Sequence, residues 1–166
     1  VDPWITSRSE NQFLKYDAVL GFQPITQGTA PANYISSSAA TLDGSVLPLN
    51  DGTEILDATA NPATLGMDLV VHALRTSRNI NNSADNAYHK ITVRSGGIIA
   101  AVNTDVLNPD LYFGPLVNSI DGSNAGEALI WANTGALSIN GKIYASQVTK
   151  SGTNALNIVA DQPQFT

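Results

Sequence analysis

The stretch Lys90-Ile91-Thr92-Val93-Arg94-Ser95-Gly96-Gly97-Ile98-Ile99-Ala100 holds two short apolar runs joined by a Ser-Gly-Gly corner. Branched side chains in the first run, Lys90–Arg94, favour a pleated strand. The second run, Gly97–Val102, is apolar at almost every position. An antiparallel strand with one wet face alternates more cleanly, so burial on both faces is the better account. Adjacent glycines supply the unusual φ that a sharp corner demands. Strand, tight corner, buried strand is the expected local unit.

The same texture extends outward in both directions. Further strands are expected at Leu69–Thr76, Leu111–Phe113, Ala128–Ala132, Ala136–Ile139, Lys142–Ala145 and Ala155–Ala160, with Gly, Asn, Asp and Pro between them. No stretch keeps a helical apolar rhythm over three turns. Even Thr64–Arg75 alternates with period two at Leu65, Met67, Leu69, Val71 and Ala73. Spacing between the strands is uneven, so no repeat period can be read. Residues 1–63, interrupted by Pro24, Pro31, Pro48 and Pro62, read as an irregular N-terminal β region or cap. A boundary near Thr64 then leads into stacked rungs over 64–166, within one continuous architecture.

From Asp68 onward the motifs resemble a known family. Lys90–Ala100 and Gly126–Ile139 resemble the strand, Ser-Gly-Gly, strand unit of autotransporter-type passenger proteins. Thr149-Lys150-Ser151-Gly152 followed by Ala155-Leu156-Asn157-Ile158 is similar to the lead-in of the autotransporter-associated β-strand repeat, with Thr153-Asn154 where a second Gly is usual. Tyr16-Asp17-Ala18 and Gly21-Phe22-Gln23-Pro24 look like the segment preceding such solenoids in very long bacterial surface proteins. The resemblance implies a right-handed parallel β-helix exported to the cell surface as stalk, adhesin or assembly module. One signal opposes it. Asn140-Gly141 suits a type I′ turn, which would pair Ala136–Ile139 with Lys142–Ala145 in an antiparallel β-sandwich or jelly roll.

Of 166 residues, 43% are hydrophobic and only 13% charged, with Ser, Thr, Asn and Gly in place of Lys and Glu. That affords one folded core and is typical of extracellular β-rich proteins. A net charge of −6 argues against nucleic acid and anionic membranes as partners. No apolar run is long enough to span a bilayer as a helix. Cysteine is absent, which removes disulfides and thiolate chemistry. The chain opens Val1-Asp2-Pro3-Trp4 without an initiator Met, so a mature product or an excerpt of a longer chain is expected.

No cofactor or catalytic centre is expected. His72 and His89 lack neighbouring ligands for zinc, and no Ser sits in a Gly-x-Ser-x-Gly elbow. The best calcium candidate is the oxygen-rich loop Asp121, Ser123 and Glu127, though it departs from EF-hand alternation. Asp51, Glu54, Asp85, Asp105 and Asp110 read as acids in loops. Arg75, Arg78, Lys90 and Arg94 form the one basic grouping, beside Asp85. Trp131 is the candidate for stacking on a glycan, and Asn81-Asn82-Ser83 is the only glycosylation sequon.

The expected function is therefore a structural or adhesive extracellular module of the bacterial surface. Self-association head to tail, or flanking repeats of a longer chain, would pack its two ends. Two alternatives stay open: a carbohydrate-binding or carbohydrate-active β-helix, and a pilin-like sandwich with residues 1–20 as donated strand.

Overall fold

The computed structural model describes residues 6–7, 12–25, 33–60, 62–82, 88–102 and 104–161. Every regular element among them is a strand. β1 (Thr6–Ser7), β2 (Gln12–Asp17) and β3 (Gly21–Pro24) form a small antiparallel sheet. The rest is a parallel β-solenoid of about 6 turns.

Its strands, in chain order, are β4 (Tyr34–Ser37), β5 (Thr41–Leu42), β6 (Ile55–Ala58), β7 (Ala63–Leu65), β8 (Leu69–Val71) and β9 (Ala73–Thr76). There follow β10 (Ile80–Asn81), β11 (Lys90–Val93), β12 (Gly97–Ala100), β13 (Thr104–Leu107) and β14 (Asp110–Phe113). The last are β15 (Glu127–Ala132), β16 (Ala136–Ile139), β17 (Ile143–Tyr144), β18 (Gln147–Ser151) and β19 (Leu156–Ile158). They sort into three parallel faces. Face one is β4-β6-β9-β12-β15-β18, face two β5-β7-β10-β13-β16-β19 and face three β8-β11-β14-β17.

Interior columns explain the continuous apolar runs. Ile35, Leu56, Leu74, Ile98 and Ile130 follow one another across face one. Leu69, Ile91, Leu111 and Ile143 do so across face three. Both columns feed the main core. The six equivalent face-one positions Ile35, Leu56, Leu74, Ile98, Ile130 and Lys150 are separated by unequal numbers of residues. Turns of different length put their extra residues into corner loops, so the stack stays in register while the sequence shows no period.

Three expectations change. β16 and β17 do not pair with each other: they lie on faces two and three, and Asn140-Gly141 is a corner between them. The sandwich alternative falls with that hairpin. Gly141 is needed there because a Cβ would lie 2.0 Å from the Pro109 carbonyl oxygen of the turn below. Leu69–Thr76 is two strands, β8 and β9, on different faces with His72 at the bend. Finally, among the described residues the rung strands run from Tyr34 onward, so residue 64 lies inside the stack, within β7.

Phe13 of β2 and Ile25 after β3 lie against the outside of face one. Phe13 and Ile25 join Ile55, Ala73, Ile99 and Ala101 in a second buried cluster, with Tyr34 and Trp131 partly buried against it. Both faces of β6 and β12 are therefore dry, which is why the run that begins at Gly97 lacks alternation. Trp4, Asp85, Phe165 and both chain ends lie outside the described residues, as does the expected packing of those ends.

Candidate functional site: the outer faces and corners

Face three carries a charged column on its outside. Lys90 is paired with Asp110 in the ladder, and its Nζ lies 3.6 Å from Asp68 on the preceding turn. The Lys142 amide donates to Asp110 at 2.6 Å. Lys90 Nζ also donates to the Ser119 carbonyl at 2.6 Å and sits 5.6 Å from the Tyr112 ring centroid. Opposite charges one rung apart offset the crowding that parallel stacking imposes on like positions. His89 Nδ1 approaches Asp68 at 3.3 Å, whereas its buried Nε2 has no hydrogen-bond partner.

Beside this column Tyr112 stacks on Tyr144, centroids 4.2 Å apart and planes 8° from parallel. The expected calcium loop covers the pair. A Cβ on Gly122 would fall 2.2 Å from a Tyr144 ring carbon, and φ there is +77°. Burial drives the Tyr112 phenol well above its ordinary range. Tyr88 stays largely exposed and donates to Asp110 at 3.0 Å.

The acids of that loop serve its own turn. Asp121 Oδ1 accepts from the Ser123 amide at 2.9 Å and hydroxyl at 2.7 Å. These bonds, the amide's foremost, hold its carboxyl below the ordinary value. Glu127 instead accepts from Thr149 on the next turn. Asp121, Ser123, Asn124 and Ala125 line a cleft of about 480 Å³ to which Glu127 does not contribute. Among the described residues no group of three His, Cys, Asp or Glu side chains is gathered for a metal. Asp51 likewise accepts from Thr53, and buried Glu54 from the Asn50 amide at 2.8 Å.

The basic residues do not converge. Arg75 lies on the outside of face one and binds Asp57 at 2.6 Å, with Tyr34 donating to the other carboxylate oxygen at 2.9 Å. Lys90 is on face three, and Arg94 reaches the Pro115 carbonyl at 3.1 Å. The Arg78 amide caps back onto Thr76. Trp131 pairs in the ladder with Ile99 and Ser151 and is partly buried against the second cluster, so only part of its ring area faces solvent. His72 lines a cleft of about 390 Å³ under the N-terminal sheet, with Lys15, Tyr16 and Asn33 among its walls.

Two features escaped the sequence reading. The sequon residue Asn81 accepts from Asn108 in a side-chain ladder that continues to Asn140. Asp105, expected in a loop, lies in β13 opposite Leu137 of the core. It is 1% exposed, and neither carboxylate oxygen has a hydrogen-bond partner. Burial pushes it up to about 6, against the weaker opposing pull of the nearby Val102 and Ala101 amides, which fall short of hydrogen-bond geometry, and of Arg78.

No family model, curated protein or solved structure matches this chain. The autotransporter resemblance thus rests on its short motifs. Of what it implied, the parallel β-solenoid is the part the structure carries.

Proposed function

We propose that this chain is a structural or adhesive module of an extracellular bacterial surface protein, without catalysis of its own. The observation that supports this most is the continuity of side-chain ladders along the stack. Aliphatic columns fill the interior, amides run through Asn81, Asn108 and Asn140, and alternating charges run through Asp68, Lys90, Asp110 and Lys142. Such a stack resists bending and presents long flat sides, which suits a spacer or a binding rod. The charge-poor, Ser/Thr/Asn-rich composition and the motif resemblance point the same way. Antibodies against the domain are expected to label intact cells of the source organism. Deleting the segment from its parent protein should reduce attachment while leaving export unchanged. Labelling only after permeabilisation would remove the surface reading.

Carbohydrate binding is a second reading, favoured by Tyr88, whose exposed ring lies beside Asp110 on face three. An aromatic face next to a hydrogen-bonding carboxylate is suitable chemistry for a sugar. A glycan array that gives the same null result for the wild type and Tyr88→Ala would rule it out.

A further inference from the structure

We infer that Asn140-Gly141 is a latent deamidation site that the amide ladder holds closed, so that opening this corner becomes irreversible chemical change. This goes beyond the surface-module reading and does not depend on it.

Asn140-Gly141 is the only Asn-Gly pair in the sequence. Glycine has no Cβ to shield its nitrogen or restrict its backbone, so the Gly141 nitrogen is an accessible internal nucleophile once the corner is free to move. In the reaction that nitrogen yields its proton to solvent base and attacks Cγ of the Asn140 side chain. A Cγ–N bond forms, the Cγ–Nδ2 bond breaks, and Nδ2 leaves with a proton as ammonia. Water then opens the resulting succinimide to aspartate or isoaspartate.

The stack demands both members of this labile pair. A Cβ at residue 141 would lie 2.0 Å from the Pro109 carbonyl oxygen and 2.7 Å from the Asp110 nitrogen, main-chain atoms of the turn below. Asn140 continues the ladder, its Nδ2 donating to Asn108 Oδ1 at 2.8 Å, and Asn108 donates to Asn81 at 2.6 Å.

The same contacts keep the pair unreactive. Attack requires the Asn140 side chain to swing back over the peptide that follows it, and Asn108 holds that side chain toward the turn below. The nucleophile is engaged as well. The Gly141 amide is directed at the Leu107 carbonyl oxygen at 3.4 Å, which also accepts from the Asn140 amide at 2.8 Å. The Lys142 amide donates to Asp110 Oδ1 at 2.6 Å, and the Lys142 carbonyl accepts from the Leu111 amide at 2.8 Å. Gly141 itself is buried. A peptide pinned on three successive amides reacts only from a locally opened state, whose population follows local stability. Isoaspartate would lengthen the main chain by one carbon where there is no room for a Cβ, so a corner that has reacted does not close again.

Mass spectrometry of the intact chain and of its peptides, during incubation in mildly alkaline buffer, tests the inference. The chain unfolded in guanidinium sets the intrinsic rate at residue 140. Folded wild type should convert there slower by roughly tenfold or more. Asn108→Ala withdraws the acceptor that holds Asn140 and should convert roughly tenfold faster than wild type. Tyr34→Phe removes a side-chain hydrogen bond to Asp57 on face one and should leave the rate unchanged. Asn108→Ser, which also withdraws the amide carbonyl, replaces Asn108→Ala if circular dichroism shows that variant unfolded. Four results would each overturn the inference: an unfolded chain that does not convert, a folded wild type that converts as fast as the unfolded chain, a folded Asn108 variant no faster than wild type, or equal acceleration in Tyr34→Phe.

Discussion

Asn140 Nδ2 donates to Asn108 Oδ1 at 2.8 Å, one turn of the solenoid away. Asn108 in turn donates to Asn81 at 2.6 Å. An amide carries both donors and acceptors, so identical side chains stacked at the strand spacing of about 4.8 Å satisfy one another. The ladder fixes the corner between faces two and three on three successive turns.

Asn108 is the middle of that ladder, so its removal strands two partners. Asn108→Ala is expected to lower stability by about 1–3 kcal/mol. Asn140→Ala, at the exposed upper end, should cost less. Urea denaturation followed by circular dichroism measures both, and equal midpoints for Asn108→Ala and wild type would show that the ladder contributes nothing.

Asp105 predicts an unusual pH dependence. Its folded pKa, about 6, lies above the unfolded carboxyl value. The neutral acid is therefore favoured by folding, and its contribution is fully present below roughly pH 4. That contribution declines between roughly pH 4 and pH 6 and is absent at neutral pH, a loss on the order of 2–3 kcal/mol. Asp105→Asn should lack this component and be more stable than wild type at neutral pH. The difference between the two proteins in urea midpoint, followed from pH 4 to pH 7, isolates it from the other carboxyls. A difference that does not vary with pH would refute the assignment.

Gly96 and Gly44 should respond very differently to a methyl group. At Gly96 φ is +82°, and a Cβ would lie 2.2 Å from the Glu127 carbonyl oxygen on the next turn. Gly96→Ala is expected to cost about 2 kcal/mol or more, since both backbone strain and a main-chain clash must be relieved. At Gly44 the nearest atom is the Met67 sulfur at 4.0 Å. Gly44→Ala should change the melting temperature little, and similar losses at both sites would contradict the corner geometry.

The sequence alone determined the all-β class, the corners and most strands from Leu69 onward, because branched runs and glycines act locally. Lys90–Val93 and Gly97–Ala100 stand where the opening motif put them. β13 and β18 were not legible: Thr104–Leu107 and Gln147–Ser151 are held by neighbours in register, and their polar residues look like loop. The role of Asn140 was also undetermined, since Asn-Gly serves a hairpin or a corner and only the turn beneath decides. Of the candidate residues, Asp121 and Ser123 share one turn, whereas Glu127 binds the next rung. The separation of Arg75, Lys90 and Arg94 onto different surroundings, and the burial of Asp105, were decided by the tertiary structure. A parallel stack joins residues about twenty or thirty positions apart with no fixed period, so which side chains become neighbours depends on the length of every corner between them.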